Sequence, residues 1–195
     1  MLPREWTRWR APQWAAMVVA AAGLLTLTVA LHRETWLVVP LAFFALLTPL
    51  ITAIDLRWLV VPNRLVIPSV GAIFVLGAVS GFLDGQPVRV LWMAAGSAAL
   101  FAIYLVLDLV APGSMGMGDV KLAILVGAVL GAIAWPGWVL GMVAGFVVGA
   151  VVGLVGLGLR SVTLRSQLPY APSMLAGAWI GIVLVATLSQ FATKA

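Results

Sequence analysis

Seven runs of about 20 mostly apolar residues, separated by short polar turns, narrow what this chain can become to one kind of solution. Hydrocarbon offers no water to backbone N–H and C=O groups, so each run is expected as an α-helix that satisfies them internally. Only 9% of the residues are charged against 64% hydrophobic, and the mean hydropathy of +1.17 lies far outside the soluble range. The expected fold class is therefore an all-α polytopic membrane protein of six or seven transmembrane helices. Spans consume nearly all of the 195 residues. The domain reading is a basic cytosolic N-terminal segment, 1–12, followed by a single transmembrane domain, 13–195. Cysteine is absent, which excludes disulfides, thiolate metal sites and cysteine nucleophiles. The one histidine, His32, has no second histidine to pair with and reads as an interfacial residue. No metal and no other cofactor is expected. The first apolar run lacks a small-residue cleavage site after it, so it is expected to be retained.

The net charge of +5 does not point to nucleic acid, because the basic residues are scattered between apolar runs. They read as topology signals for a bilayer. The spans are expected at about 13–31, 36–54, 65–83, 90–111, 119–135, 138–159 and 173–191. Pro62-Asn63 breaks the chain before the third. With the N-terminus in the cytosol, eight basic residues fall inside (Arg4, Arg8, Arg10, Arg57, Arg64, Lys121, Arg160, Arg165) and three outside (Arg33, Arg89, Lys194). That asymmetry sets the orientation. It also implies a multi-pass protein of the plasma or inner membrane.

The chemistry concentrates in Pro112-Gly113-Ser114-Met115-Gly116-Met117-Gly118-Asp119-Val120-Lys121-Leu122, a glycine-rich loop whose acid opens an apolar helix. An acid at the edge of hydrocarbon is a functional-site hypothesis by default. Gly113, Gly116 and Gly118 clear side chains from around it and leave room for an extended peptide backbone. With 20 Gly in the chain, Gly-x-Gly-Asp arises by composition only about 0.04 times per chain, so the motif carries weight. An Asp at a helix start is also an ordinary N-cap, and the motif needs a partner to mean more. Asp55, at the end of the second span, returns to the same membrane face. Two adjacent carboxylates cannot both ionise cheaply. They share a proton, so that one activates water and the other protonates a carbonyl oxygen, the chemistry of an aspartyl peptidase. The alternative is two separate interfacial acids facing headgroups, Arg57 or Lys121. Helix polarity favours the charge on Asp119, at a helix start, over Asp55, at a helix end.

An Asp closing a span and followed by Val61-Pro62-Asn63, together with Met115-Gly116-Met117-Gly118-Asp119-Val120-Lys121-Leu122, resembles the prepilin peptidases, bacterial membrane aspartyl proteases of the Gly-x-Gly-Asp type. Leu168-Pro169-Tyr170-Ala171-Pro172 is similar to a Pro-Phe-Gly-Pro stretch near that family's end. The resemblance implies Asp55 and Asp119 as the catalytic pair, with Asn63, Gly116, Gly118 and Lys121 at supporting motif positions. It implies an endopeptidase that removes the short basic leader of prepilin or pseudopilin precursors at the cytosolic membrane face. Larger members carry a cytosolic insert with paired Cys-x-x-Cys motifs and N-methylate the new terminus. This chain has neither insert nor cysteine, so the resemblance is to the short peptidases of tight-adherence pili or archaeal flagellar filaments, without methyltransferase activity.

Two rivals stand beside it. An ion-coupled transporter would use the same membrane acids but place them near the bilayer midplane, whereas both here fall at one face. A presenilin-like protease shares the Gly-x-Gly-Asp loop, yet needs a Tyr-Asp pair where this chain has Ile54-Asp55. Asp108 reads as a solvated acid, or alternatively as a docking point for a basic leader. Gly141, Gly145, Gly149 and Gly153 recur every four residues and read as a close helix-packing ridge. The tryptophans fall mostly near span ends and read as interfacial anchors.

Overall fold

The computed structural model describes residues 9–111, 116–159 and 169–192. Seven helices run through them: α1 (Ala11–His32), α2 (Val38–Trp58), α3 (Asn63–Leu83), α4 (Arg89–Val110), α5 (Met117–Ile133), α6 (Trp135–Gly158) and α7 (Ala171–Ala192). All the regular structure described is helical, and six of the seven helices are long and apolar enough to cross a membrane. The seventh, α5, has 17 residues and measures only about 26 Å. Its brevity follows from its place. Helices α3, α4, α6 and α7 all pack against α5, and residues Val120, Leu122, Ala123, Leu125, Val126, Ala128, Val129 and Leu130 are buried around its circumference. A helix jacketed by protein on every side need not match the bilayer thickness.

Glycine sets the distances within this bundle. On the α6–α7 seam, a Cβ at Gly177 would meet the backbone of Gly145, and one at Gly181 would lie 2.6 Å from the Gly137 carbonyl oxygen. Between α4 and α5 the facing pairs are Gly96 with Gly127, and Trp92 with Gly131. The expected α6 ridge is thus a packing face at Gly141, Gly145 and Gly149, and α7 answers it with glycines of its own. Such approach replaces hydrophobic driving force, which is missing between helices in lipid, with close van der Waals contact.

These facing pairs also fix direction. Helices α4 and α5 run antiparallel, as do α6 and α7, so Asp55, Leu59, Asn63, Gly116, Asp119 and Tyr170 gather at one end of the bundle. Gly85, Arg89, Ile133 and Trp135 gather at the other. There the Arg89 guanidinium donates to Asp84 Oδ2 (2.7 Å), to the Ser80 hydroxyl (3.0 Å) and to Gln86 Oε1 (3.2 Å). Asp84 Oδ1 in turn accepts the Trp36 backbone N–H at 2.8 Å. The polar turn of the third loop is therefore a buried ion-paired knot that joins the start of α2, the end of α3 and the start of α4.

Several boundaries shift from expectation. Helix α2 continues to Trp58, so Asp55 lies inside its last turn instead of ending it. Helix α6 begins at Trp135, leaving only Ala134 between it and α5. Two tryptophans are core residues and not interfacial anchors. Trp138 donates its indole N–H to the Gly96 carbonyl (3.1 Å), and Trp179 donates to the Thr48 hydroxyl (3.0 Å) while stacking on Phe44. Trp138 fills the space that Gly96 leaves. Arg4, Arg8, Arg160, Arg165 and Lys194, which the topology reading used, lie outside the described residues, as do Pro112 to Met115 and Leu168.

The packing argument predicts a contrast between two glycines. Gly177→Ala is expected to lower the thermal unfolding midpoint in detergent, by an overpacking cost of about 1–3 kcal/mol. Gly71→Ala, where nothing lies within 4 Å of the added methyl, should leave it unchanged or slightly raised.

Candidate active site

The site is built where α2 stops. The Leu59 N–H donates to the Asp55 carbonyl oxygen (2.8 Å), and Leu59 takes a left-handed conformation (φ 53°) that ends the helix. The chain then turns through Val60-Val61-Pro62, and Pro62 leads into α3 at Asn63. Val61 is buried, and the start of α5 lies directly against it: a Cβ at Gly118 would stand 2.9 Å from the Val61 Cβ and 3.0 Å from its carbonyl oxygen. Gly118 is therefore needed because the backbone of the α2–α3 turn occupies the space a side chain would take. This contact brings the first turn of α5, and Asp119 with it, up to the last turn of α2.

Both acids are buried, Asp55 at 3% exposure and Asp119 at 8%, and they are near enough to repel each other electrostatically. They do not face headgroups as separate interfacial acids would. Their surroundings differ in detail. The Ala171 backbone N–H, the first of α7, donates to Asp55 Oδ2 at 3.1 Å. Asp119 is the third residue of α5, and the Gly116 backbone N–H at the N-cap reaches its carboxylate. Its Oδ1 is buried and has no hydrogen-bond partner among the described residues. Each carboxylate thus sits at a helix N-terminus, Asp55 at that of α7 and Asp119 at that of α5. Asp55 lies in the last turn of α2, at that helix's negative end, and the positive N-terminus of α7 opposes the effect expected from α2.

The supporting positions divide. Gly116 and Gly118 are at the acids, through the N-cap and the Val61 contact. Asn63 and Lys121 are paired with each other: the Lys121 ammonium donates to Asn63 Oδ1 at 3.1 Å on the exposed rim, tying α3 to α5. Arg57 lies over the rings of Trp9 (5.2 Å) and Trp58 (4.8 Å). Asp108 is half-buried in the last turn of α4. One turn earlier on α4 stands a residue that sequence reasoning missed. Tyr104 is 1% exposed, and its hydroxyl donates to the Tyr170 hydroxyl at 3.1 Å. The available signal was slight: Tyr104 is one of only two tyrosines in the chain, and the other falls in the Leu168–Pro172 stretch.

A family model described as the type IV leader peptidase family matches residues 41–154, more than half of the chain and all of the span from Asp55 to Asp119. The chain belongs to the type IV leader peptidase family. It is therefore a peptidase rather than an ion-coupled transporter, carried in a membrane by its apolar helices, and its substrates are in general pilin-like precursors. No curated protein and no solved structure matches the chain significantly.

The geometry separates a tight contact from a loose one. Gly118→Ala is expected to reduce peptidase activity at least tenfold by pushing the α5 start away from Val61. Lys121→Met should change stability by no more than about 1 kcal/mol, since an exposed hydrogen bond of this kind contributes little. Purified variants compared by turnover and by thermal unfolding decide both.

Proposed function

We propose that this leader peptidase is an aspartic endopeptidase with Asp55 and Asp119 as its catalytic pair, cleaving the basic leader from type IV pilin-like precursors at the cytosolic membrane face. The observation that carries the reading is the convergence of two buried carboxylates from α2 and α5 at one end of an otherwise apolar bundle. Burying an isolated charge there costs several kcal/mol, and packing has no need of either acid.

In this reading Asp55, held by the Ala171 N–H, removes a proton from a water molecule whose oxygen bonds to the scissile carbonyl carbon. Asp119 holds the shared proton and protonates the carbonyl oxygen. The tetrahedral intermediate then collapses. The C–N bond breaks, the leaving amine nitrogen takes the proton that Asp55 accepted, and the carbonyl re-forms as its hydroxyl proton returns to Asp119. Asn63, Gly116, Gly118 and Lys121 support this arrangement from the α2–α3 turn and the first turn of α5. Gly118 gives its space to Val61 of the α2–α3 turn and not to a peptide, while Gly116 leaves the position beside Asp119 Oδ2 without a side chain.

Asp55→Asn and Asp119→Asn are each expected to lower processing of a cognate precursor by at least about a thousandfold, because the pair acts as one unit. Membrane insertion and thermal stability should persist in both. Appreciable processing by either purified variant sinks the dyad assignment. Sidedness is checked separately: single cysteines introduced at Leu59 and at Gly85 should label with impermeant maleimide from the cytosol and from the opposite face, respectively. Labelling of position 59 from outside would remove the cytosolic site.

A further inference from the structure

The active site as derived uses two carboxylates and leaves one polar group beside them without a task. Tyr170 immediately precedes Ala171, whose N–H binds Asp55, and the α4–α5 seam, which sets Gly96 against Gly127 and Trp92 against Gly131, brings Tyr104, the partner of Tyr170, level with Asp119. The Tyr170 hydroxyl oxygen accepts from Tyr104, and among the described residues its own hydrogen is donated to nothing. Tyr170 is half-buried, while Tyr104 behind it is closed off from outside.

This phenol is held from three sides. The Tyr104 ring stacks on Phe146 of α6 (centroids 5.4 Å apart, planes at 20°), and the Tyr170 ring lies 5.8 Å from Tyr104 and 6.3 Å from Phe146. Gly149 supplies the third by lacking a side chain: a Cβ there would stand 2.7 Å from Tyr170 Cε2. Apolar packing would be served equally by two phenylalanines, and burying a hydroxyl costs free energy unless it gains something in return. Here the Tyr104 hydroxyl has one partner among the described residues, the hydroxyl of Tyr170, and in filling a lone pair of that oxygen it leaves the Tyr170 hydrogen for another acceptor.

We propose that Tyr170 is a catalytic residue that donates a hydrogen bond to the oxygen of the scissile carbonyl beside Asp119, with Tyr104 as the positioning residue that sets its hydroxyl. The inference rests on the proposed aspartyl mechanism and adds to it an oxyanion donor. As water attacks and the carbonyl oxygen gains charge, Asp119 delivers its proton to one lone pair and the Tyr170 hydroxyl stabilises the other. No bond to Tyr170 forms or breaks. The arrangement also explains why α6 is glycine at position 149, one turn beyond its close contacts with α7.

The test uses the full-length protein in micelles and a synthetic peptide made of a basic leader, a glycine and an apolar helix. Tyr170→Phe keeps the ring in its slot and is expected to lower kcat about 100-fold with KM nearly unchanged. Tyr104→Phe should lower kcat about tenfold, and the double variant should be no slower than Tyr170→Phe alone, since Tyr104 acts only through Tyr170. Wild-type kcat in Tyr170→Phe, or losses that multiply in the double variant, would overturn the proposal. A second measurement needs no turnover. With 3-fluorotyrosine at position 170, the fluorine resonance should move on Tyr104→Phe and again on Asp119→Asn, and its failure to respond to either overturns the pairing. An inactive wild type would count against the peptide-cleaving mechanism itself, while the fluorine measurement still decides the placement of Tyr170.

Discussion

The structure depends on holding two carboxylates close together in a place that hydrocarbon would otherwise fill. Each carries a desolvation cost of several kcal/mol if charged, and their mutual repulsion adds to it. Two features answer that cost. The Ala171 amide of α7 binds one acid, and the N-cap amide of α5 meets the other. The fold is thus stable around the pair without being stabilised by it, which is the usual condition of a site retained for chemistry.

Close approach is the means by which this is achieved. Gly118 admits Val61, and the α4–α5 and α6–α7 seams are glycine against glycine. Helices that touch at backbone distance leave little freedom to slide, so the ends of α2, α5 and α7 keep register at the site. Helix α5 gains most from this. Surrounded by four others, it can be too short for the bilayer and still place Asp119 below the rim where Lys121 and Asn63 pair. The opposite end is locked by different means, a buried Arg89–Asp84 pair that knots three chain segments. One end of the bundle therefore holds a matched pair of opposite charges, and the other two buried carboxylates.

Family membership and geometry meet at different points along the chain. The matched region, 41–154, includes both acids and Tyr104, but stops before Tyr170 and Ala171. Yet α7 contributes an amide to Asp55 and packs along α6 through Gly177 and Gly181. The peptidase region is thus completed by a helix outside the part of the chain that carries the family signature.

By itself the sequence determined the membrane class, a helix count of six or seven, the break at Pro62-Asn63, the glycine ridge of α6 and the two acids as a candidate pair. Each is a local property: a run of apolar residues, a proline, a spacing of four, or a motif too rare for chance. Tertiary structure alone decided what these residues touch. Asp55 was legible as an acid at a span end, but its amide partner lies 116 residues away at the start of α7, and no local pattern records that. Lys121 and Arg57 read as cations beside the acids, whereas one pairs with Asn63 and the other lies over tryptophan rings. Trp138 and Trp179 read as interfacial because of their place in the chain, and packing turned them inward, one against Gly96 and the other onto Phe44 and Thr48. Tyr104 gave almost no signal, since a lone tyrosine in an apolar helix looks like core until α6 and α7 bring Phe146 and Tyr170 against it. Periodicity and composition act within a helix, while the partners of a buried polar atom depend on which helices meet, and that is settled only when the whole bundle closes.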